Sequence, residues 1–270
     1  PVYKPLTKDY TRFEQTVIMI RSIERNWKFD YTINLIVNSS ITKLQKNVLN
    51  SLNVEVYEVD PTFESGDVKL SRSLAYTLKL RKPGTHRFIL DCDMIAVNDI
   101  GPQLKKLYKH DVCAMYEWDT NITSTQSRYD NCVHYLYSKF KLSPPRVPFK
   151  LAKLSHSYDR HFGNKRLPCP LYNPIMLMRE ASARKFGPIY ERLWKELYIP
   201  EDHINSAYMI QLGMSIAMQH VAPYIGQLDA GVNMLPSLMI HPKFRDFSRV
   251  YLLHCCIDSY TFTRELSDYY

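Results

Sequence analysis

The run Arg87-Phe-Ile-Leu-Asp91-Cys-Asp93-Met-Ile-Ala-Val97 begins as an apolar strand and runs into two carboxylates separated by one residue. A short apolar run bounded by turn signals is consistent with a buried strand of an α/β sheet. In such sheets ligands bind outside the carboxyl ends of the strands, which is where Asp91 and Asp93 fall. If the strand continues, period-two alternation sends both side chains to one side. Holding two like charges together is costly. A divalent cation that prefers oxygen, Mn2+ or Mg2+, relieves that cost. Such a cation can hold a diphosphate and stabilise it as a leaving group. A solvated turn at a strand end gives the same short pattern, so Asp-x-Asp alone leaves both readings open.

The flanking sequence supplies the sheet. Thr32-Ile-Asn-Leu-Ile-Val37 and Val54-Glu-Val-Tyr-Glu-Val59 read as strands. Between them Ser40 can cap a helix that runs to Asn50. Val68 to Leu80 carries leucines at helical spacing, and Pro83-Gly84 marks a turn before the acidic strand. Pro102 to His110 reads as a short helix and Asp111 to Tyr116 as a strand. Upstream, Phe13 to Arg25 is a helix with Val17, Ile18, Ile20 and Ile23 toward the core, and Val2-Tyr3 is compatible with an edge strand. Past residue 170, Tyr172 to Met178 reads as a strand, Ala181 to Leu197 and Asp202 to Leu212 as helices, and Ser215 to Gln219 and Val250 to Leu253 as late strands. The alternation predicts an α/β, Rossmann-like single domain over residues 1–270, with a mixed, mostly parallel central sheet flanked by helices.

Composition agrees. The chain has 270 residues, 45% hydrophobic and 23% charged, with eight Gly. That excludes collagen, coiled coil, flexible linker and disordered chain. No apolar run approaches the roughly 18 residues of a membrane span. No leader pattern is read at the start, which is Pro1. Six Cys include no C-x-x-C pair, and Cys92, Cys113, Cys255 and Cys256 lie in apolar runs. They are expected to be reduced, buried thiols, which points to the cytoplasm. The Golgi lumen is the alternative if the chain is a eukaryotic catalytic fragment.

The net charge is +8. Residues 139–166 hold eight basic residues and one acid, Asp159, so seven of those charges come from this stretch. It lies within residues 121–170, an insertion between residues 1–120 and 171–270. A long basic insertion suits a lid over a bound anion or a membrane headgroup, and a solvated loop equally. His156 and His161 are five apart, a poor spacing for two ligands on one helix face.

Taken together, these segments resemble the nucleotide-sugar-dependent glycosyltransferases of the GT-A fold, in the group of glycogenin and the bacterial galactosyltransferases. Five elements come in the family's order: Ser71-Arg-Ser-Leu-Ala-Tyr76, the Asp91/Asp93 strand with Asp99-Ile, Leu171-Tyr172-Asn173, Glu201-Asp202-His-Ile-Asn205, and the pair Asp229-Ala-Gly-Val-Asn233 with Leu252-Leu-His254. The resemblance implies transfer of a hexose or pentose from a nucleoside-diphosphate sugar, uridine-linked, to a hydroxyl of a glycan or glycoconjugate. It implies that Asp93 binds Mn2+ (or Mg2+), that Asp91 binds the metal or the ribose, and that His254 completes the site. His254 is otherwise a core histidine at a strand end. Arg72 would contact the donor diphosphate or sugar, or lie on a solvated helix face; Asn173 would bind the donor sugar or the acceptor, or form a strand-end turn; Asn205 would lie on the donor side. Residues 1–120 would then be the nucleotide-binding half and 171–270 the acceptor and catalytic half, with the basic insertion over the donor diphosphate or an anionic acceptor.

Asp202 follows Pro200 and first reads as an N-cap or first-turn acid. The resemblance makes it the general base of an inverting enzyme, or a carboxylate orienting the sugar in a retaining one. Glu201 competes for the role. The pattern departs from retaining relatives after His254, where Cys255-Cys-Ile-Asp-Ser-Tyr260 replaces a Gly and a Lys that touches the diphosphate. That leans the reading toward inversion and leaves the diphosphate to Arg72 or the basic insertion.

Two rival classes fare worse. A sugar nucleotidyltransferase needs a Gly-rich phosphate loop near its start, and the first thirty residues hold no Gly. A nucleic-acid or anion-binding module built on residues 139–166 lacks any recognised nucleic-acid pattern. No nucleic-acid partner is expected. Peripheral membrane contact stays open.

Overall fold

A computed structural model describes residues 8–37, 41–58, 78–81, 83–116, 138, 141, 172–197, 213–222, 224–234 and 247–255. The sequence-read edge strand at Val2-Tyr3, most of the helix over Val68–Leu80 and the helix over Asp202–Leu212 lie outside them, as does nearly all of the basic insertion.

The chain enters through helix α1 (Lys8–Asn26), whose Ile20 and Ile23 are buried. Strand β1 (Ile33–Val37) and strand β2 (Val54–Glu58) pair in parallel, joined through helix α2 (Lys43–Asn50). The cap of α2 is Thr42 rather than Ser40. Thr42 Oγ1 accepts from Gln45 N at 3.2 Å, and Gln45 Oε1 accepts from Thr42 N at 2.8 Å. This reciprocal capping box satisfies two orphan donors at once, which a lone serine further upstream cannot do.

Residues 78–80 are not helical. They form a strap instead, because Leu78 O accepts from Arg87 Nη2 at 2.9 Å and Arg81 N donates to Tyr57 Oη at 2.7 Å. Strand β3 (His86–Ile89) follows, then β4 (Met94–Ala96), helix α3 (Gly101–Leu107) and strand β5 (Val112–Tyr116). Strand β6 (Tyr172–Arg179), helix α4 (Glu180–Leu197), a helix within residues 213–221, strand β7 (Ile225–Gln227) and strand β8 (Leu252–His254) follow.

The largest described sheet runs β3-β6-β5-β7. It is mixed, as expected: β6 is antiparallel to β3 and β5, whereas β5 and β7 are parallel. Among the described residues the parallel share is smaller than strand–helix alternation suggests, because β6 runs antiparallel to both of its neighbours, β3 and β5. Strand β8 pairs antiparallel with β4.

Val112, Cys113, Ala114 and Met115 of β5 are all buried, the continuous apolar run of a strand covered on both faces. Cys113 and Cys255 are buried free thiols, as expected, and burial pushes Cys113 up to about 12. Cys92 departs from expectation: it is exposed in the turn between the two aspartates.

Ser215–Gln219, read as a strand, is helical within residues 213–221. Met214 to Met218 are all buried, and a run apolar all round carries no period to separate strand from helix. Among the described residues no helix is long and apolar enough to cross a membrane.

Candidate metal centre

Strand β3 does not continue through the acidic pair. It ends at Ile89, the chain turns at Cys92-Asp93, and β4 begins at Met94. The two carboxylates converge because of this turn and not because of strand alternation.

The third group comes from the far end of the chain. In the β4–β8 ladder Met94 faces His254, Ile95 faces Leu253 and Ala96 faces Leu252. Cys255 N then donates to Asp93 O at 2.8 Å. This register lays His254 beside Asp93, and a slip of one residue would turn it to the opposite face. Strand β4 is anchored on its other side by α1: Ala96 N donates to Ser22 Oγ at 2.9 Å, and Asn26 Nδ2 donates to Ala96 O at 2.9 Å.

As a result Asp91, Asp93 and His254 each offer a ligand atom, all within 4.8 Å of one another. All three are half-buried. His254 Nε2 lies 3.3 Å from Asp93 Oδ1. Two neighbouring ligands of an octahedral ion, each about 2.1 Å from it, stand about 3 Å apart, so this pair already has the spacing of a shared cation. Two carboxylates and one imidazole suit Mn2+, with Mg2+ served by the oxygens. The donor set fits a divalent metal.

His254 is itself held. Its Nδ1 lies 2.8 Å from Asn233 Oδ1. In the sequence Asn233 ends the Asp229–Asn233 segment, and nothing there marks it as a partner of His254. The contact spans 21 residues and has no local signature beyond the Asp-x-Gly turn that precedes it.

Beside Asp91 a cavity of about 600 Å³ opens between β1 and β3, lined among others by Trp27, Tyr31, Asn34 and Phe88. Trp27 stacks on Phe29 and Phe88, with ring centroids 5.3 and 6.1 Å apart, and meets Tyr31 edge-on. At the start of β3, Arg87 grips Glu180 with two hydrogen bonds of 2.5 and 2.6 Å, and both side chains are largely buried. Hydrogen bonds from Arg87, opposed in part by burial and helped by Arg184, hold the Glu180 carboxyl below its usual range. This pair pins the strand that delivers Asp91.

The sequence-predicted metal set Asp91, Asp93 and His254 is therefore brought together. Asn173 lies at the start of β6, with its side chain outside the described residues. Arg72, Glu201, Asp202 and Asn205 also lie outside them.

No protein-family model and no curated protein matches this sequence. Solved structures match in shape. Over 96% of this chain and 93% of the other, the fold superposes on the galactosyltransferase LgtC, solved in complex with donor and acceptor sugar analogs, at TM-score 0.51 and 12% identity. An active-site mutant of LgtC gives 0.54 and 13% over the same shares. Apo mouse xyloside xylosyltransferase 1 gives 0.49 and 11% over 92% of this chain and 93% of that one. The fold is the GT-A fold of glycosyltransferases.

Proposed function

We propose that the chain is a metal-dependent glycosyltransferase. It moves a sugar from a nucleoside-diphosphate sugar, uridine-linked by resemblance, to a hydroxyl of a glycan or glycoconjugate acceptor. The observation that carries this reading is the convergence of Asp91, Asp93 and His254 just beyond the carboxyl end of β3 in a GT-A fold. The fold's solved neighbour LgtC was captured with donor and acceptor sugar analogs, which supports the same substrate classes here. The cavity beside Asp91 combines the aromatic walls of Trp27 and Phe88 with hydrogen-bonding groups such as Asp30, Thr32 and Asn34, a mixture suited to a nucleoside.

In this reading Asp91, Asp93 and His254 hold Mn2+ or Mg2+. When bound, the cation supplies positive charge to the diphosphate as it leaves. Arg72 and the basic residues of 139–166 add charge at the same group, and Asn173 and Asn205 orient the donor sugar. Asp202 takes the proton of the acceptor hydroxyl as its oxygen attacks the anomeric carbon and the carbon–oxygen bond to the diphosphate breaks. The anomeric configuration inverts. Glu201 is the competing base. The chain works as one domain, with residues 121–170 as the lid.

Donor hydrolysis and transfer in Mn2+ test the reading. Asp93→Ala is expected to lower the rate at least about 100-fold, or about 2.7 kcal/mol of barrier. Asp202→Asn is expected to lose transfer while keeping donor binding, and Glu201→Gln to keep both. Undiminished transfer by Asp93→Ala would remove the metal assignment.

A further inference from the structure

We infer that Asn233 is a positioning residue for the metal centre: its side-chain oxygen holds His254 in the tautomer that presents Nε2 as a ligand. The inference rests on Asp91, Asp93 and His254 being a metal site, and adds a residue that the ligand set does not contain.

An amide oxygen accepts hydrogen bonds and cannot donate. At 2.8 Å from Asn233 Oδ1, His254 Nδ1 must therefore carry the proton of the contact. In the neutral ring the lone pair then sits on Nε2, the atom 3.3 Å from Asp93 Oδ1. With the amide turned over, its N–H groups would face Nδ1 and drive the ring proton to Nε2. Such a ring could hydrogen-bond the aspartates but could not ligate a metal. The orientation of one amide thus selects between a ligand and a mere hydrogen-bond donor.

The backbone keeps Asn233 beside His254. Asn233 ends a short 3-10 turn (Ala230–Asn233) capped by Asp229, whose Oδ1 accepts from Gly231 N at 2.8 Å. The turn is stitched to the segment that carries His254. Tyr251 N donates to Gly231 O at 2.8 Å, Met234 N to Leu252 O at 3.0 Å and His254 N to Met234 O at 2.9 Å. Asn233 is 4% exposed, so water does not compete for its oxygen. A buried hydrogen-bond partner behind a metal-binding histidine fixes its ring and tautomer, and losing one typically weakens the metal about 10- to 100-fold.

The experiment measures binding and not turnover. Free Mn2+ is followed by electron paramagnetic resonance as it is titrated into the full chain, alone and against Mg2+. Asn233→Ala is expected to bind Mn2+ about 10- to 100-fold more weakly. Asn233→Asp, which still accepts from Nδ1, is expected to stay within about threefold of wild type. Because Mg2+ leans on the oxygens, the Mn2+ to Mg2+ affinity ratio of the alanine variant should fall roughly tenfold. A purely structural role would weaken both metals alike and would not be rescued by Asp.

If the alanine variant does not fold, the tautomer is read in the wild type. Ring nitrogen chemical shifts at pH 8, with His254 assigned through His254→Gln, should show the proton on Nδ1. Wild-type Mn2+ affinity in Asn233→Ala, an unchanged Mn2+ to Mg2+ ratio, or a proton on Nε2 overturns the inference. Wild-type protein that binds no Mn2+ overturns the metal reading beneath it.

Discussion

At the scale of single residues, position and not identity distinguishes the site. Asp91 and Asp93 are ordinary strand-end carboxylates until His254 arrives beside them, and His254 is an ordinary histidine until Asn233 fixes its ring. The same holds for Glu180. Its carboxyl is depressed below its ordinary value of 4.5, first by the hydrogen bond from Arg87. A depressed acid contributes stability that is present above its unfolded value and lost as pH falls through the folded one. Acid unfolding should therefore begin below about pH 4.5. Glu180→Gln leaves the Arg87 guanidinium, 5% exposed, without its carboxylate. The variant should lose about 3 kcal/mol at pH 7 and show a flatter acid limb, measured by urea unfolding at several pH values. An unchanged profile would mean that the pair does not pin β3.

At the scale of elements, the turn before β8 has no spare room. A Cβ on Gly231 would stand 1.9 Å from the Arg249 carbonyl oxygen. That atom is backbone and cannot rotate away. Gly231→Ala is expected to cost roughly 2 kcal/mol in thermal unfolding, and to weaken Mn2+ binding because the turn carries Asn233. Retained stability with intact metal binding would show that the turn yields.

The elements differ in how much of themselves they announce. Strands β1, β2, β5 and β6 and helices α1 and α4 are legible because each has its own period or β-branched run. The helix over 213–221 is not, because a run buried on every side has no amphipathic signal. The grouping of His254 with Asp91 and Asp93 is legible only through resemblance. Alternation along a continuing strand would put Asp91 and Asp93 on one side, whereas in the structure a turn at Cys92-Asp93 brings their carboxylates together. Asn233 was out of reach, since nothing within its own neighbourhood refers to a histidine 21 residues on. The capping box was present in the letters Thr42 and Gln45, and Ser40 drew the reading away from it.

At the scale of the molecule, the charge is unevenly placed. All but one of the eight net positive charges fall within residues 139–166, between the metal strand and β6. In the proposed reading the donor diphosphate lies near the carboxyl end of β3, where a chain that is nearly neutral elsewhere would need its cations gathered. The account as a whole claims that the Asp91, Asp93 and His254 cluster loads a nucleotide sugar through a divalent metal. Its most direct test is the melting temperature of the full chain with UDP-galactose, UDP-glucose and UDP-xylose, each in Mn2+ and again in EDTA. The account predicts that at least one donor, at about 100 times its dissociation constant, raises the melting temperature by about 5 °C in Mn2+. It predicts no rise in EDTA or for Asp93→Ala. An equal rise without metal, or in Asp93→Ala, would contradict it.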